Sequence, residues 1–187
     1  MMNAKDALTA IYAYIKEEPV VLATGFISRT AQSVKDRDAN FYVIGSMGMV
    51  ASLASGIAVA RPGKKVIGID GDGAVLMNLG ALPTAAALRL NNFLHIVLDN
   101  AAYESTGAQP SFTETVKLEK IAQASGYANA LRVSTPAALM KAMPKLLKAK
   151  GPSFLLVRVS NETGSPAPRI EATPAEMTRR FSQCLAR

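Results

Sequence analysis

Apolar residues along this chain come in two rhythms, short unbroken runs and longer stretches spaced at three and four, separated by Gly, Pro, Asn and Asp. The unbroken runs are Val20 to Thr24, Phe41 to Ile44, Lys65 to Asp70, Phe93 to Leu98, Ala130 to Val133 and Ser153 to Val159. Runs of this kind, bounded by turn residues, predict strands buried on both faces. The spaced stretches predict helices over Ala4 to Glu17, Ser28 to Lys35, the turn at Gly48 to Ala60, Ala74 to Leu90, Val116 to Ser125, Pro136 to Lys148 and Ala175 to Leu185. Pro19 and Arg61-Pro62-Gly63 supply stop signals. The tail with Pro166, Pro168 and Pro174 reads as loop before the last helix. Strands alternating with helices predict an α/β fold, a doubly wound, mainly parallel sheet with helices on both faces. At 187 residues the expectation is one domain spanning 1–187, with 160–187 a C-terminal loop and helix.

In such sheets ligands bind beyond the carboxyl ends of the strands. Two of those ends carry oxygen ligands. The run to Asp70 continues into Gly71-Asp72-Gly73-Ala74, and the run to Leu98 ends in Asp99-Asn100, 28 positions after Asp72. A carboxylate and a carboxamide beside a glycine turn suit a hard cation such as Mg2+, which keeps other positions for phosphate, water and carbonyl oxygens. Glycines flanking Asp72 let backbone approach a phosphate, and Ala74 opens a helix with free N–H groups. Taken alone, the same turn is also an ordinary strand-to-helix connection. From Asp99 a polar loop of 17 residues runs to Thr115; structureless loops longer than about 12 to 15 residues are usually functional or disordered. A third turn, Gly45-Ser46-Met47-Gly48, holds a methionine between glycines, as core filler or as a cofactor contact.

Composition narrows the classes. Apolar residues make up 49% and charged residues 19%, with no repeat or low-complexity tract, as expected of a folded globular protein. The single cysteine, Cys184, excludes an intrachain disulfide and a self-contained zinc or iron–sulfur site, and reads as a packing residue in an intracellular, cytoplasmic protein. The N-terminal residues lack the pattern of a signal peptide, and the stretch Met47 to Ala60 is too short and too rich in Gly and Ser to cross a bilayer, so no membrane partner is expected. The net charge of +7 is scattered, without an aromatic-interleaved basic stripe, which argues against nucleic acid and leaves surface solvation or small anionic ligands.

These residues resemble the pyrophosphate-binding domain of thiamin diphosphate enzymes, whose signature is a GDG turn followed one strand later by a pair ending in Asn. Here 26 residues separate Gly73 from Asn100. The stretch GSMGMVASLASGIAVARPGKKVIGIDGDGAVLMNLGAL, with LHIVLDNAAYESTGAQPSF, is similar to phosphonopyruvate decarboxylases and the beta subunits of sulfopyruvate decarboxylase. The resemblance implies thiamin diphosphate and Mg2+ as cofactors. Asp72 and Asn100 would bind the metal by side chain and Ala102 by its carbonyl. Gly71, Gly73 and Ala74 would lie on the diphosphate. Gly45 would accept a hydrogen bond from the cofactor's amine, beside Ser46, and Met47 would act as the wedge that bends the cofactor. Tyr103, Ser105 and Thr106 would belong to the loop closing over the site. Asp99 stands where the family usually has Asn, and Tyr103 where phosphonopyruvate decarboxylases usually have His.

The family also needs a glutamate from a pyrimidine-binding domain, for which this chain has no room. The implied partner is a separate pyrimidine-domain (alpha) subunit, the implied assembly a homodimer or hetero-oligomer, and the implied substrate a small anionic 2-oxo acid. An acetolactate-synthase-like subunit and a non-catalytic module of the same fold are the alternatives. Elsewhere, His95 inside an apolar run reads as a core histidine. Arg29 is suited to a phosphonate or sulfonate through its planar fork, or to a helix surface. Glu104 reads as a loop contact or a solvated side chain.

Overall fold

The computed structural model describes residues 2–161 and 167–186. Six strands form one parallel sheet: β1 (Val20–Leu22), β2 (Asn40–Tyr42), β3 (Val66–Gly71), β4 (Phe93–Asp99), β7 (Asn129–Val133) and β8 (Ser153–Arg158), in the order β2-β1-β3-β4-β8-β7. Two short strands, β5 (Ala102–Tyr103) and β6 (Gln109–Pro110), pair antiparallel outside it. The apolar runs β3 and β4 occupy the centre, and every residue of β4, the longest strand, is buried. The register sets Ile69 beside both Leu22 and Ile96, and Gly71 beside Leu98, so the carboxyl ends of β1, β3 and β4 come out side by side.

Helices cover both faces. On one, α1 (Ala4–Tyr12), α2 (Phe26–Val34) and α7 (Pro136–Lys148) pack Leu8, Ile11, Leu139 and Met143 onto Ile67, Ile69, Leu94 and Ile96. On the other, α3 (Val50–Ala60), α5 (Ala81–Ala87) and α6 (Leu118–Ser125) pack Val50, Ala54, Leu82 and Leu118 onto Val66, Val97 and Phe154. The alternation of side chains along β3 and β4 divides the two cores. The final helix, α8 (Pro174–Ala186), lies on the edge strand β2, with Phe181 5.4 Å from Phe41 between ring centroids. From β1 the chain winds outward to β2 and then returns to continue at β3 on the other side. The switch point of the sheet therefore lies between β1 and β3, where ligands are held in folds of this type.

The doubly wound α/β architecture expected from the runs is the one observed, and α7 keeps its expected bounds, opened by Thr135 accepting the Ala138 N–H and by Pro136 in its first turn. Other elements differ in instructive ways. The helix expected from Ala4 to Glu17 ends at Tyr12, because the chain turns at Ala13 and drops Ile15 into the core from the turn. The single helix expected over Ala74 to Leu90 is two, α4 (Asp72–Met77) and α5, since Asn78 leaves helical geometry and donates its amide to the Gly48 carbonyl at 2.9 Å. The long loop contains the β5–β6 hairpin and a 3-10 turn at Glu104–Thr106. Pro166 of the expected tail loop lies outside the described residues. Among the described residues no helix is long and apolar enough to cross a membrane.

Candidate functional site

A cleft opens at the switch point. Its walls come from Thr24 after β1, Gly71 through Ala74 after β3, Asn100 and Ala102 after β4, and Met47 from the turn after β2, with Tyr103 and Ser105 of the hairpin above them. These residues lie far apart in sequence and meet only because β1, β3 and β4 are adjacent and end level. The enclosed space is about 80 Å³. Complete small-molecule sites usually enclose about 300 to 1,000 Å³, more than this cleft does by itself. Gly45, Ser46 and Thr106 are exposed and do not line the cleft. The Thr106 hydroxyl is spent inside the hairpin, on the Tyr103 carbonyl at 3.2 Å.

Asp72 opens α4 and is only 2% exposed. The Ser111 hydroxyl donates to its Oδ2, and the Thr113 hydroxyl stands 3.4 Å from the same oxygen. Thr113 Oγ1 lies 2.7 Å from Asp99 Oδ1, and its single proton goes to that closer acceptor. Asp99 also accepts the Ala101 N–H at 3.1 Å and pairs with Arg158 Nη1 at 3.0 Å, while Arg158 reaches Glu114 at 2.5 Å. A chain of polar contacts thus ties Asp72 through Thr113 and Asp99 to a guanidinium. Burial pushes the Asp72 carboxyl up to about 6; the Ser111 hydroxyl opposes this, and the nearby Asp99 charge adds to it. No cation of the chain stands directly against Asp72 in the described ion pairs.

Asn100 is fixed at both ends of its side chain. Oδ1 accepts the Ala102 N–H at 3.1 Å, and Nδ2 donates to Glu104 Oε2 at 3.1 Å. The carboxamide oxygen keeps a second lone pair. Burial raises the Glu104 carboxyl above its ordinary range, opposed by that same Asn100 contact. Gly73 lies under the ring of Tyr103, close enough that any Cβ there would collide with the ring. Only glycine leaves room for both the turn and its aromatic cover. Among the described residues no three His, Cys, Asp or Glu side chains gather around a possible metal. The cleft offers the Asp72 and Glu104 carboxylates, the Asn100 carboxamide and the backbone of Ala102, an oxygen-rich set that suits a hard cation completed by phosphate and water oxygens. The raised Asp72 carboxyl follows from its burial, with no paired cation among the described ion pairs. The residues present therefore fit a metal and a diphosphate.

A family model described as the thiamine pyrophosphate enzyme C-terminal TPP-binding domain matches residues 23–157, from the end of β1 to β8. The chain belongs to this family. It is 34% identical over 181 residues to the beta subunit of sulfopyruvate decarboxylase from Methanothermobacter thermautotrophicus, covering 97% of this chain and 94% of that protein. It is 38% identical over 168 residues to phosphonopyruvate decarboxylase from Streptomyces viridochromogenes, covering 89% of this chain and only 42% of that longer protein. Among solved structures, benzoylformate decarboxylase from Polynucleobacter necessarius shares the fold with a TM-score of 0.70 at 20% identity, over 84% of this chain and 33% of that one.

Several residues at the site carried no signal in the sequence. Ser111 and Thr113 are ordinary loop hydroxyls until the hairpin folds them onto Asp72. Arg158 ends an apolar run 59 positions after Asp99, and their contact exists because β4 and β8 pair with Asp99 beside Arg158. The alternation Ser111-x-Thr113, two hydroxyls pointing the same way inside a long loop, was the one available clue. His95 is wholly buried, 3.4 Å from Asp70 Oδ2 and packed against Phe154, and does not line the cleft.

Proposed function

We propose that this chain, folded as one domain over 1–187, is the thiamin diphosphate and Mg2+ binding subunit of a non-oxidative decarboxylase. It acts on a 2-oxo acid bearing a phosphonate or sulfonate, and a separate pyrimidine-domain subunit completes it. The observation that carries the reading is the match along 94% of a protein that is itself named a beta subunit. The oxygen-rich lining of the cleft at the switch point, with Asp72 and Asn100 at adjacent strand ends, supports it. A cytoplasmic setting and a homodimeric or hetero-oligomeric assembly go with this reading.

In this assignment Asp72, Asn100 and the Ala102 carbonyl hold Mg2+. Gly71, Gly73 and Ala74 bring backbone to the diphosphate, under the cover of Tyr103. Gly45 offers its carbonyl to the cofactor's amine from the rim, with Ser46 beside it. Met47, which lines the cleft, would pack against the cofactor as its bending wedge, a proximity effect. Ser105 and Thr106 sit on the hairpin that closes the cleft from above. When bound, thiamin diphosphate supplies an electron sink for the pair released as CO2 departs. The glutamate that the cofactor's ring requires is assigned to the partner.

Calorimetry tests this directly. Thiamin diphosphate with Mg2+ should bind weakly or not at all to the isolated chain, and tightly once the pyrimidine-domain subunit is added. Full decarboxylation by the pure chain alone would overturn the two-subunit reading. Asp72→Ala should abolish metal-dependent activity of the assembled enzyme, whereas a non-catalytic module would behave as before.

A further inference from the structure

A second cleft, of about 370 Å³, adjoins the first and meets it at Thr24, Phe26 and Ser105. Its charged lining is two arginines, Arg29 on α2 and Arg169 in the segment before α8, and among its described lining residues there is no carboxylate. Arg29 is not a free surface side chain. Its Nε donates to the Ala167 carbonyl at 2.5 Å, with the Pro168 carbonyl at 3.3 Å, and its guanidinium stands 5.3 Å from the Phe26 ring centroid, one helical turn earlier. These contacts orient the fork and leave its two terminal nitrogens without a protein acceptor among the described residues. The same bonds hold residues 167 and 168 against α2, and that brings Arg169, two positions on, to the rim of the cleft.

Two cations without a counterion among the described residues, one with a fixed planar fork, suit a tetrahedral oxyanion that accepts paired hydrogen bonds. The donors assigned to the cofactor diphosphate, Gly73 and Ala74, line the first cleft and not this one. Because the two clefts share Thr24, Phe26 and Ser105, a molecule in the first has the arginine-lined cleft directly beside it. We propose that Arg29 and Arg169 form the subsite for the terminal phosphonate or sulfonate of the substrate, and so select a tailed 2-oxo acid over a tail-less one. This assignment rests on the decarboxylase reading above.

The test has a binding arm and a kinetic arm. Methylphosphonate or methanesulfonate, titrated into the full 15N-labelled chain, should shift the Arg29 Nε–H signal and the amides of Thr24, Phe26 and Ser105. Arg169→Gln, an exposed position whose change leaves the fold intact, should weaken those shifts, and Arg29→Lys, which keeps charge but loses the fork, should do the same. In the assembled enzyme each variant should raise KM for the tailed acid roughly 10- to 100-fold, the scale of lost hydrogen bonds to a charged group, with the affinity for thiamin diphosphate unchanged. An unchanged KM in both variants overturns the proposal. So does a KM effect that is matched by an equal loss of cofactor affinity, because the arginines would then serve the diphosphate. If no 2-oxo acid is turned over, yet the anions still bind and Arg169→Gln still weakens them, the decarboxylase reading falls and the oxyanion subsite stands.

Discussion

Replacing Asp72 with Asn should make the metal-free chain more stable while removing the charge that the proposed metal site needs. Asp72 is buried, and its carboxyl titrates near 6 rather than at its ordinary 3.8. At about 1.4 kcal/mol per pH unit, that gap corresponds to roughly 3 kcal/mol held against the ionised form. Because the folded pKa lies above the unfolded one, this cost is absent below pH 4, grows between about pH 4 and 6, and is complete above. Asparagine is nearly isosteric and uncharged, and Ser111 and Thr113 can turn their hydroxyls to accept from it. Part of the gain is returned with the charge-assisted bond from Ser111, which leaves an expected net of about 1 to 2 kcal/mol at pH 8. With a urea dependence of about 2 kcal/mol/M, the midpoint should rise by roughly 0.5 to 1 M.

Urea denaturation of the full wild-type and Asp72→Asn chains, each at pH 8 and pH 4 without divalent metal, measures this. The variant should lead at pH 8 and lose its lead at pH 4. Mg2+ with thiamin diphosphate and the partner subunit should then raise the wild type and leave the variant where it was. A variant less stable than wild type at pH 8, or a difference that ignores pH, would refute the account of Asp72 as a charge waiting for a cation. Trading stability for a poised buried charge is expected at a working site, not in a packing residue.

Other perturbations probe the surrounding shell. Thr113→Val removes the hydroxyl between Asp72 and Asp99, and should cost about 1 to 3 kcal/mol in chemical denaturation and weaken the Mg2+ dependence of activity; an unchanged Mg2+ titration would show that the contact positions nothing. Gly73→Ala should clash with the Tyr103 ring and destabilise the chain by about 1 to 3 kcal/mol, and Tyr103→Ala in the same chain should recover most of that loss in a double-mutant cycle. Gly48→Ala meets both a positive φ of 89° and the Ala74 carbonyl 3.1 Å from the new Cβ, so thermal unfolding should fall by a further stability loss of about 1 to 3 kcal/mol.

The parts of this molecule that are legible in its sequence are those whose physics is local. β3 and β4 announce themselves because a strand covered on both faces must be continuously apolar, and Asp72 and Asn100 stand out because each breaks such a run at its carboxyl end. Their neighbours are invisible for the opposite reason. Arg158 matters through its pairing register with Asp99, Thr113 through the fold of a hairpin, and Arg169, in the proposed subsite, through the Ala167 and Pro168 carbonyls that Arg29 holds from 138 and 139 positions away. Asn78 shows how the two kinds of information collide. The apolar spacing across it continues as though one helix ran from Ala74 to Leu90, but its amide is drawn off to the Gly48 carbonyl. A helix broken there binds the turn that presents Met47 to the end of the helix that begins with Asp72. Met47 and Asp72, the proposed wedge and metal ligand, are thereby joined through the Asn78–Gly48 hydrogen bond, and a change in either turn should be felt at both.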